Sequence, residues 1–206
     1  MAQYFEIHPE NPQARLIQRA VEIVREGGII AYPTDSSYAL GCHIGDKQAA
    51  DRIRRVRQVD DRHNMTLVCR DLSELGIYAR VENRDYRLLK ALTPGAYTFI
   101  LHATREVPRR LFHPKRKTIG LRVPEHRIAL ALLAALNEPL LSSTLILPGE
   151  AMPLNDPYEI RDRLGAQIDL VIDGGACPAE PTSVVDLTGD APAVLRVGRG
   201  DVSVLE

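Results

Sequence analysis

Apolar residues recur at helical spacing in the first part of the chain. Between the pairs Asn11-Pro12 and Gly27-Gly28 they lie three or four positions apart, at Leu16, Ile17, Ala20, Val21 and Val24. This spacing places them on one face of an amphipathic helix. Asn is a favourable N-cap and Pro suits the first helical position, whereas Gly adopts the left-handed conformation that often follows a helix. We therefore predict a helix between these two pairs.

Shorter apolar runs, bounded by polar or turn residues, predict strands. They cover residues 29–32, 65–69, 97–101, 118–123, 140–147, 168–173, 183–187 and 193–196. Further helices are predicted at residues 128–136 and after the candidate N-caps Asp46, Asp71, Asn83 and Asp156. Helices and strands alternate early in the chain and strands dominate late. The predicted fold class is therefore α/β with a mixed sheet.

A polar turn, Pro33-Thr34-Asp35-Ser36-Ser37, follows the predicted strand at residues 29–32. In an open α/β sheet, ligands bind in the crevice outside the carboxyl ends of strands, and these side chains would point into that crevice. Ser, Thr and Asp are also common in turns, because their side chains form local hydrogen bonds there. The pattern by itself favours the second interpretation, a solvated turn.

The composition indicates an ordinary soluble domain. The 206 residues are 45% hydrophobic, which is enough for one sizeable core, so we predict a single domain over residues 1–206. The formal net charge of -1 predicts no general affinity for polyanions. The three cysteines form no C-x-x-C pair, and we find neither a leader nor an apolar run of membrane-spanning length. We expect a reduced, cytoplasmic protein with no membrane partner.

Cys42 and His43 are adjacent, which suggests a metal site or a nucleophile pair. Neighbouring side chains on a strand point to opposite faces of a sheet, however, and no other ligands lie at metal-binding spacing. We therefore predict a structural cysteine here and no metal site.

Basic residues are concentrated in two places. One is the predicted helix after Asp46, which contains Arg52, Arg54, Arg55 and Arg57. The other is a proline-containing loop with Arg109, Arg110, Lys115, Arg116 and Lys117. This loop suits contact with the phosphates of a nucleotide or of RNA, but basic loops also serve only to increase solubility. The sequence leaves both interpretations open.

Six strings, taken together and in order, resemble those of one protein family. They read GGIIAYPTD, YALG, TPGAYT, TIGLRVP, PTSVVD and LR, at residues 27–35, 38–41, 93–98, 118–124, 181–186 and 195–196. The chain thereby resembles the YrdC-like family, the threonylcarbamoyl-adenylate synthases, and most closely its YciO branch. The resemblance covers almost the whole chain.

The resemblance implies an α/β fold with a twisted open sheet around a large positively charged cavity. It implies condensation of threonine, bicarbonate and ATP, accompanied by Mg²⁺, into threonylcarbamoyl-adenylate with release of pyrophosphate. That product serves the modification of an adenosine in tRNA, and the cavity of the family is also associated with double-stranded RNA. The expected partners are ATP or AMP, a threonine-like small molecule, and double-stranded RNA or tRNA.

The resemblance also assigns expected roles to individual residues, without naming a catalytic residue. The residues that match substrate contacts are Thr34, Arg122, Thr144 and Thr182. Those that match nucleotide contacts are Arg57, Asn64, Thr118 and Arg196. The basic residues 109, 110, 115, 116 and 117 are the expected RNA contacts. Arginine suits a substrate carboxylate because its planar fork binds two oxygens at once.

Two departures from the pattern of active synthases bear on activity. A Lys-x-Arg pair is replaced by Arg57-Gln58-Val59, and a Ser-x-Asn motif is replaced by Thr144-Leu145-Ile146. A lost charged hydrogen bond of about 1.5–3 kcal/mol corresponds to a loss of roughly ten- to a hundredfold in phosphate affinity. Arg62 or His63 is a candidate replacement for the lost charge.

Two functional hypotheses follow from these observations. The first is an enzyme with weak threonylcarbamoyl-adenylate synthase activity. The second is a non-catalytic protein that binds a nucleotide or double-stranded RNA in the same cavity.

Overall fold

The computed structural model describes residues 1–60 and 63–205. Its strands are β1 Gln3–Glu6, β2 Ile30–Pro33, β3 Tyr38–His43, β4 Thr66–Val68, β5 Tyr97–His102, β6 Thr118–Arg122, β7 Leu140–Thr144, β8 Leu170–Asp173, β9 Ser183–Asp186 and β10 Ala193–Arg196. Its α-helices are α1 Ala14–Arg25, α2 Lys47–Arg57, α3 Leu72–Tyr78, α4 Asn83–Leu92, α5 Arg127–Leu136 and α6 Pro157–Leu164. Short 3-10 turns cover Arg109–Leu111 and Ser203–Leu205.

All ten strands form one sheet in the order β1-β8-β2-β3-β7-β4-β6-β5-β9-β10. The sheet combines parallel pairs, such as β1 with β8 and β4 with β6, with antiparallel pairs, such as β2 with β3 and β5 with β6. The prediction of an α/β fold with a mixed sheet is therefore confirmed.

One face of the sheet carries the larger apolar core. Alternate residues of the central strands, including Leu40, Leu67, Phe99, Leu121 and Val185, are fully buried there. The apolar sides of α2, α4 and α6 belong to the same cluster. Because strand side chains alternate between faces, the residues between these positions point to the opposite face.

The opposite face is divided into two halves. Over β2, β3 and β8, a second apolar cluster that includes Ile30, Tyr32 and Ile172 packs under helices α1 and α5. Over β4, β5 and β6, the corresponding residues include Thr66, Thr98, Ile100, Thr118 and Gly120, and neither cluster includes them. This second half provides a mostly polar surface at the centre of the molecule.

Three of the predicted helix caps are confirmed. The carboxylates of Asp46 and Asp71 accept hydrogen bonds from backbone N–H groups three residues later, at 2.9 and 2.8 Å. Asp156 accepts from the N–H of Tyr158 at 2.8 Å, and Pro157 lies in the first turn of α6. Acceptors at these positions pair N–H groups that no helical carbonyl can reach.

Two other caps were predicted at the wrong residues. Helix α1 begins at Ala14 rather than after Asn11, and its N-cap, Gln13, instead accepts a hydrogen bond from the N–H of His8 at 2.9 Å. Asn83 is the first residue of α4, whose N-cap is Glu82. In both helices the residue at the cap makes no side-chain capping bond, so no local sequence signal marks the start.

The strand predicted at residues 140–147 ends at Thr144, and β1 was not predicted. After Thr144 the chain turns, and Leu145 and Leu147 enter the core from a loop, so their burial continues the apolar pattern beyond the strand. The four residues of β1 are only partly buried and pair with β8 alone. None of the helices in the described part of the chain has the length and apolarity that crossing a bilayer requires.

Substitutions at two neighbouring residues of β4 test the division of the sheet into a core face and a polar face. Leu67→Ala should lower the free energy of unfolding by about 2–5 kcal/mol, because it leaves a cavity in the main core. Thr66→Ala, one residue away on the polar face, should lower it by less than about 1 kcal/mol. Urea denaturation of both variants measures the difference, and equal losses would contradict this division.

Candidate functional site

The turn after β2 is buried, so the prediction of a solvated turn is wrong. Thr34, Ser36 and Ser37 are only 1%, 2% and 2% exposed. The Thr34 hydroxyl donates to the carbonyl oxygen of Ser37 at 2.6 Å and accepts from the N–H groups of Ser36 and Ser37, each at 3.2 Å. A hydroxyl has one hydrogen to donate and two lone pairs, so that of Thr34 is fully used within the turn.

Arg122, at the end of β6, forms a buried ion pair with Asp35 of this turn. Its other terminal nitrogen donates to the Ser36 hydroxyl at 3.0 Å, and the second oxygen of Asp35 accepts from the N–H of Glu125 at 3.0 Å. Arg122 is 7% exposed, and its Nε has no hydrogen-bond partner among the described residues. A ligand carboxylate would therefore reach Arg122 only by replacing Asp35, since the unpaired Nε is buried.

The polar half of the sheet forms the floor of a cavity of about 270 Å³. We call it the hydroxyl-lined cavity after its hydroxyl residues Thr66, Thr98, Thr118, Ser142, Ser143, Thr144 and Thr182. Strand register brings several of them together, since Thr66 lies opposite Ser142 on one side and Gly120 on the other. A Cβ atom at Gly120 would lie 3.3 Å from Thr98 Cγ2 and 3.4 Å from Thr66 Oγ1, so a larger residue there would crowd the floor.

Six of the eight residues expected at the ligand site line this cavity. They are Arg57, Asn64, Thr118, Thr144, Thr182 and Arg196. Thr34 lines a second, more open cavity of about 780 Å³ together with Asp35 and His126, whereas Arg122 is buried behind Asp35. The two cavities share no lining residue among those described, but Tyr97 lines the second and its neighbour Thr98 the first.

Sequence reasoning missed Thr66, Thr98, Ser142 and the ring of His113 as lining residues. Thr66 and Ser142 lie within predicted strands, and their alternation with buried leucines was the available signal. That signal identifies a polar face but does not show which strands are neighbours.

Arg57, at the end of α2, is held in the cavity wall by three hydrogen bonds. It donates to the Ser143 hydroxyl at 2.5 Å, to His63 Nε2 at 2.7 Å and to the carbonyl oxygen of Ile146 at 3.3 Å. Burial lowers the pKa of Arg57, but a guanidinium remains charged at physiological pH. Arg57 thus presents a fixed positive charge.

His63 does not replace the missing cation, so that suggestion is wrong for this residue. Nε2 accepts a hydrogen bond from Arg57 and must therefore carry a lone pair, which makes the ring neutral. Burial, followed by the positive charges of Arg57 and Arg54, lowers the pKa of His63. Arg62, the other candidate, lies outside the described residues.

Arg196, on β10, is fixed against the start of β9. Its Nε and Nη2 donate to the carbonyl oxygen of Thr182 at 3.0 and 2.8 Å, and Nη2 also lies 3.2 Å from the Thr182 hydroxyl. That hydroxyl is 2.8 Å from the hydroxyl of Thr98. Burial lowers the pKa of Arg196, which nevertheless stays charged. The edge of the sheet thereby supplies a second fixed cation.

The structure separates the five basic residues expected to contact RNA. All five are exposed, but Arg110 also donates to the carbonyl oxygen of Ile44 at 2.9 Å, and Arg116 also lines the hydroxyl-lined cavity. No ion pair with a described carboxylate involves any of the five. RNA binding by this loop stays a prediction.

The two departures from the synthase pattern lie in different surroundings. Ile146 lines the hydroxyl-lined cavity, so an apolar side chain stands where the pattern has an amide. Val59 instead lies in a surface depression with Lys47, Asp51, Arg54, Arg55 and Gln58. Gln58, the residue after α2, adopts a left-handed conformation, which turns the chain before Val59 is reached.

The residues Cys42 and His43 serve the fold. Cys42 is buried in the main core, where burial raises the pKa of its thiol to about 12. The ring of His43 lies 2.9 Å from a Glu138 carboxylate oxygen and accepts from the N–H of Gly45 at 3.0 Å. Among the described residues, no group of three His, Cys, Asp or Glu side chains is arranged to hold a metal ion.

Comparison with known proteins places the chain in a family. Residues 22–198 match the family model Sua5_yciO_yrdC, whose description is telomere recombination. The chain belongs to the Sua5/YciO/YrdC family. YciO of Escherichia coli strain K12 is 61% identical to it over 202 residues, which are 98% of each chain. The crystal structure of E. coli YciO superposes with a TM-score of 0.97 over 100% of both chains, at 60% identity.

Relatives of the Sua5/YciO/YrdC family with a named activity or ligand are more distant. The threonylcarbamoyl-AMP synthase of Halorhodospira halophila is 29% identical over 182 residues, which are 87% of this chain and 93% of that relative. The crystal structure of Pyrococcus abyssi Sua5 in complex with L-threonine superposes with a TM-score of 0.87 at 25% identity, over 95% of this chain and 57% of Sua5. The resemblance stated from the sequence strings is confirmed.

The pair between Asp35 and Arg122 can be tested by removing one charge and then both. In this family member, Asp35→Ala should lower the free energy of unfolding by about 3–5 kcal/mol, because Arg122 would stay charged and buried without its partner. The double variant Asp35→Ala/Arg122→Met should be more stable than Asp35→Ala alone. Chemical denaturation of the variants measures both effects. If the double variant is no more stable than Asp35→Ala, the unpaired charge of Arg122 is not the cause of the lost stability.

The lowered pKa of His63 predicts a pH dependence of stability. Below the ordinary pKa of about 6.5, the unfolded chain binds a proton at His63 that the folded chain does not yet bind. The stability contributed by neutral His63 is therefore complete above that pH and is lost as the pH falls through the folded-state pKa.

The unfolding temperature should therefore fall between pH 7.5 and 5. His63→Gln should reduce the slope of this fall with pH. Burial also lowers the pKa of His126, so His126→Gln should reduce the same slope independently. An unchanged slope in His63→Gln would contradict the neutral state assigned to His63.

Proposed function

We propose that this member of the Sua5/YciO/YrdC family binds ATP and a threonine-like amino acid and condenses them with bicarbonate, slowly, into threonylcarbamoyl-adenylate. The single observation that supports this most is the charge of the hydroxyl-lined cavity. Arg57, Arg116 and Arg196 line it, and no Asp or Glu does so among the described residues. Uncompensated positive charge in a concave site attracts phosphate groups and binds them by charge-assisted hydrogen bonds.

The lining of the cavity suits a nucleotide in other respects. Its hydroxyl groups can donate to phosphate and ribose oxygens, and Asn64 at its rim offers both donor and acceptor atoms. A volume of about 270 Å³ is just below the usual range of about 300–1,000 Å³ for ligand sites, and neighbouring residues such as Tyr97 and Thr98 line the second cavity and this one respectively. In this proposal the nucleotide occupies the hydroxyl-lined cavity.

The amino acid would lie at the turn that contains Thr34 and Asp35. Its carboxylate would pair with Arg122 in exchange for the Asp35 carboxylate, since Asp35 and Ser36 hold the two terminal nitrogens and Nε is buried. P. abyssi Sua5, a structural relative at 25% identity, has been crystallised with L-threonine, which supports an amino acid as the second ligand.

The chemistry asked of the site is mainly electrostatic. Joining a carboxylate oxygen of the carboxylated amino acid to the α-phosphorus of ATP releases pyrophosphate and concentrates negative charge on phosphate oxygens. Fixed guanidinium groups stabilise such charge without having to reorganise during the reaction. Arg57 and Arg196 are already held in place by hydrogen bonds to the protein, so they meet this requirement.

Magnesium would enter this site with the nucleotide. The described residues of the hydroxyl-lined cavity include no carboxylate, and carboxylate oxygens are the usual protein ligands of Mg²⁺. The residues therefore do not fit a magnesium site held by the protein alone. We further propose that the protein acts in the cytoplasm and that its product serves tRNA modification.

Pyrophosphate release tests the proposed activity, and two substitutions test its location. Release with threonine, bicarbonate and ATP should exceed release without threonine. Ile146→Asn should increase it, because the substitution restores a hydrogen-bonding side chain to the cavity wall. Val59→Arg is the matched control and should change it little, because Val59 lies in the separate surface depression. A rate equal to that of the no-threonine control would leave only the non-catalytic hypothesis, which ATP-induced thermal stabilisation would then support.

A further inference from the structure

Three guanidinium groups line the hydroxyl-lined cavity, and two of them are hydrogen-bonded to described residues of the protein. Arg57 is bonded to Ser143, His63 and Ile146, and Arg196 is bonded to Thr182. The guanidinium of Arg116 makes no hydrogen bond or ion pair with any residue in the described part of the chain; only its backbone N–H is bonded. Among the described residues, Arg116 is therefore the cavity cation whose side-chain donors have no protein partner.

The loop that carries Arg116 is ordered by its own hydrogen bonds. The ring Nδ1 of His113 accepts from the N–H groups of Lys115 and Arg116 at 3.3 and 3.1 Å. The N–H of Lys117 donates to the carbonyl oxygen of His113, and the N–H of His113 donates to that of Thr118, both at 2.8 Å. Lys117 has a left-handed φ of 55°, which closes the loop directly before β6. These contacts fix the backbone of Arg116 beside the cavity.

The surroundings of Arg116 favour an anionic ligand. The described residues that line the cavity contain no carboxylate, so no residue there neutralises the charges of Arg57, Arg116 and Arg196. A group with several negative oxygens would relieve the mutual repulsion of these cations and satisfy the free donors of Arg116. A diphosphate has this chemistry.

We propose that Arg116 binds the diphosphate group of the nucleotide and later of the pyrophosphate product. This inference rests on the proposed function, because it concerns the same cavity, and it replaces the role expected of Arg116 in RNA binding. Arg116 approaches from the loop before β6, whereas Arg57 approaches from the end of α2 and Arg196 from β10. The ligand would thus be surrounded by cations on three elements.

Lys115 offers a matched control for this proposal. It is exposed, lies one residue from Arg116 and carries the same charge, but it does not line the cavity. Binding of inorganic pyrophosphate and of ATP should be measured by isothermal titration calorimetry at fixed salt concentration. The proteins to compare are the unmodified chain, Arg116→Ala, Arg116→Lys and Lys115→Ala.

We expect Arg116→Ala to weaken the binding of pyrophosphate about ten- to a hundredfold, the loss of one charge-assisted interaction. Lys115→Ala should stay within about twofold of the unmodified chain. Arg116→Lys should recover part of the affinity, since it keeps the charge and loses the planar fork. Unfolding temperatures of the variants should be unchanged, because the Arg116 side chain has no partner in the described residues, and this confirms that the variants are folded.

Three results would overturn the inference: unchanged affinity in Arg116→Ala, an equal loss in Lys115→Ala, or no binding of pyrophosphate and ATP by the unmodified chain. The proposed activity is judged separately, by pyrophosphate release that depends on threonine. A chain that binds pyrophosphate through Arg116 without this activity would support the inference and remove the synthase proposal. An active chain whose pyrophosphate affinity is unchanged by Arg116→Ala would support the synthase proposal and overturn the inference about Arg116.

Discussion

The arrangement of the site depends on one constraint: helices α1 and α5 cover only half of one face of the sheet. Strand side chains alternate between the two faces, so the strands that supply Leu67, Phe99 and Leu121 to the main core must also supply residues to the uncovered half. Most of these residues are polar, although Ile100 and Val184 also line the cavity. Thr66 and Thr98 suit this position, since a β-branched side chain suits a strand and a hydroxyl group suits a polar cavity. The floor of the cavity is therefore a property of the sheet itself rather than of an inserted loop.

Arginines in this protein are held in two electrostatically different ways. Arg57 and Arg196 are fixed by hydroxyl groups, a neutral histidine and backbone carbonyls, which orient the guanidinium groups and leave their charge in place. Arg122 is fixed by Asp35, which compensates its charge. The first arrangement maintains a positive field for an incoming anion, whereas the second lets a carboxylate compete with one of the protein's own. This difference supports separate places for the phosphates and for the amino acid in the proposed reaction.

The motif positions of active synthases do not account for all of the positive charge in the cavity. By position, the chain lacks the cation expected at Val59, yet Val59 lies in a depression outside the cavity. Arg116 approaches the cavity from the loop before β6, far from Val59 in sequence. The number of cations that face a ligand thus depends on the spatial arrangement of three elements. The apolar Ile146, in contrast, lies in the cavity wall and remains a real difference from the synthase pattern.

The sequence by itself determined the α/β class, most helices and strands, and the family, because periodicity, aspartate caps such as Asp46 and ordered motif strings are local features. It misplaced the starts of α1 and α4, where no capping hydrogen bond provides a signal, and it overlooked β1, which is stabilised only by pairing with β8. Only the tertiary structure decided that the turn at Thr34 is buried, that Asp35 occupies Arg122, and that Arg57, Arg116 and Arg196 line one cavity. The physical reason is that strand order, register and helix coverage join residues far apart in the chain, and local pattern carries no information about which strands become neighbours.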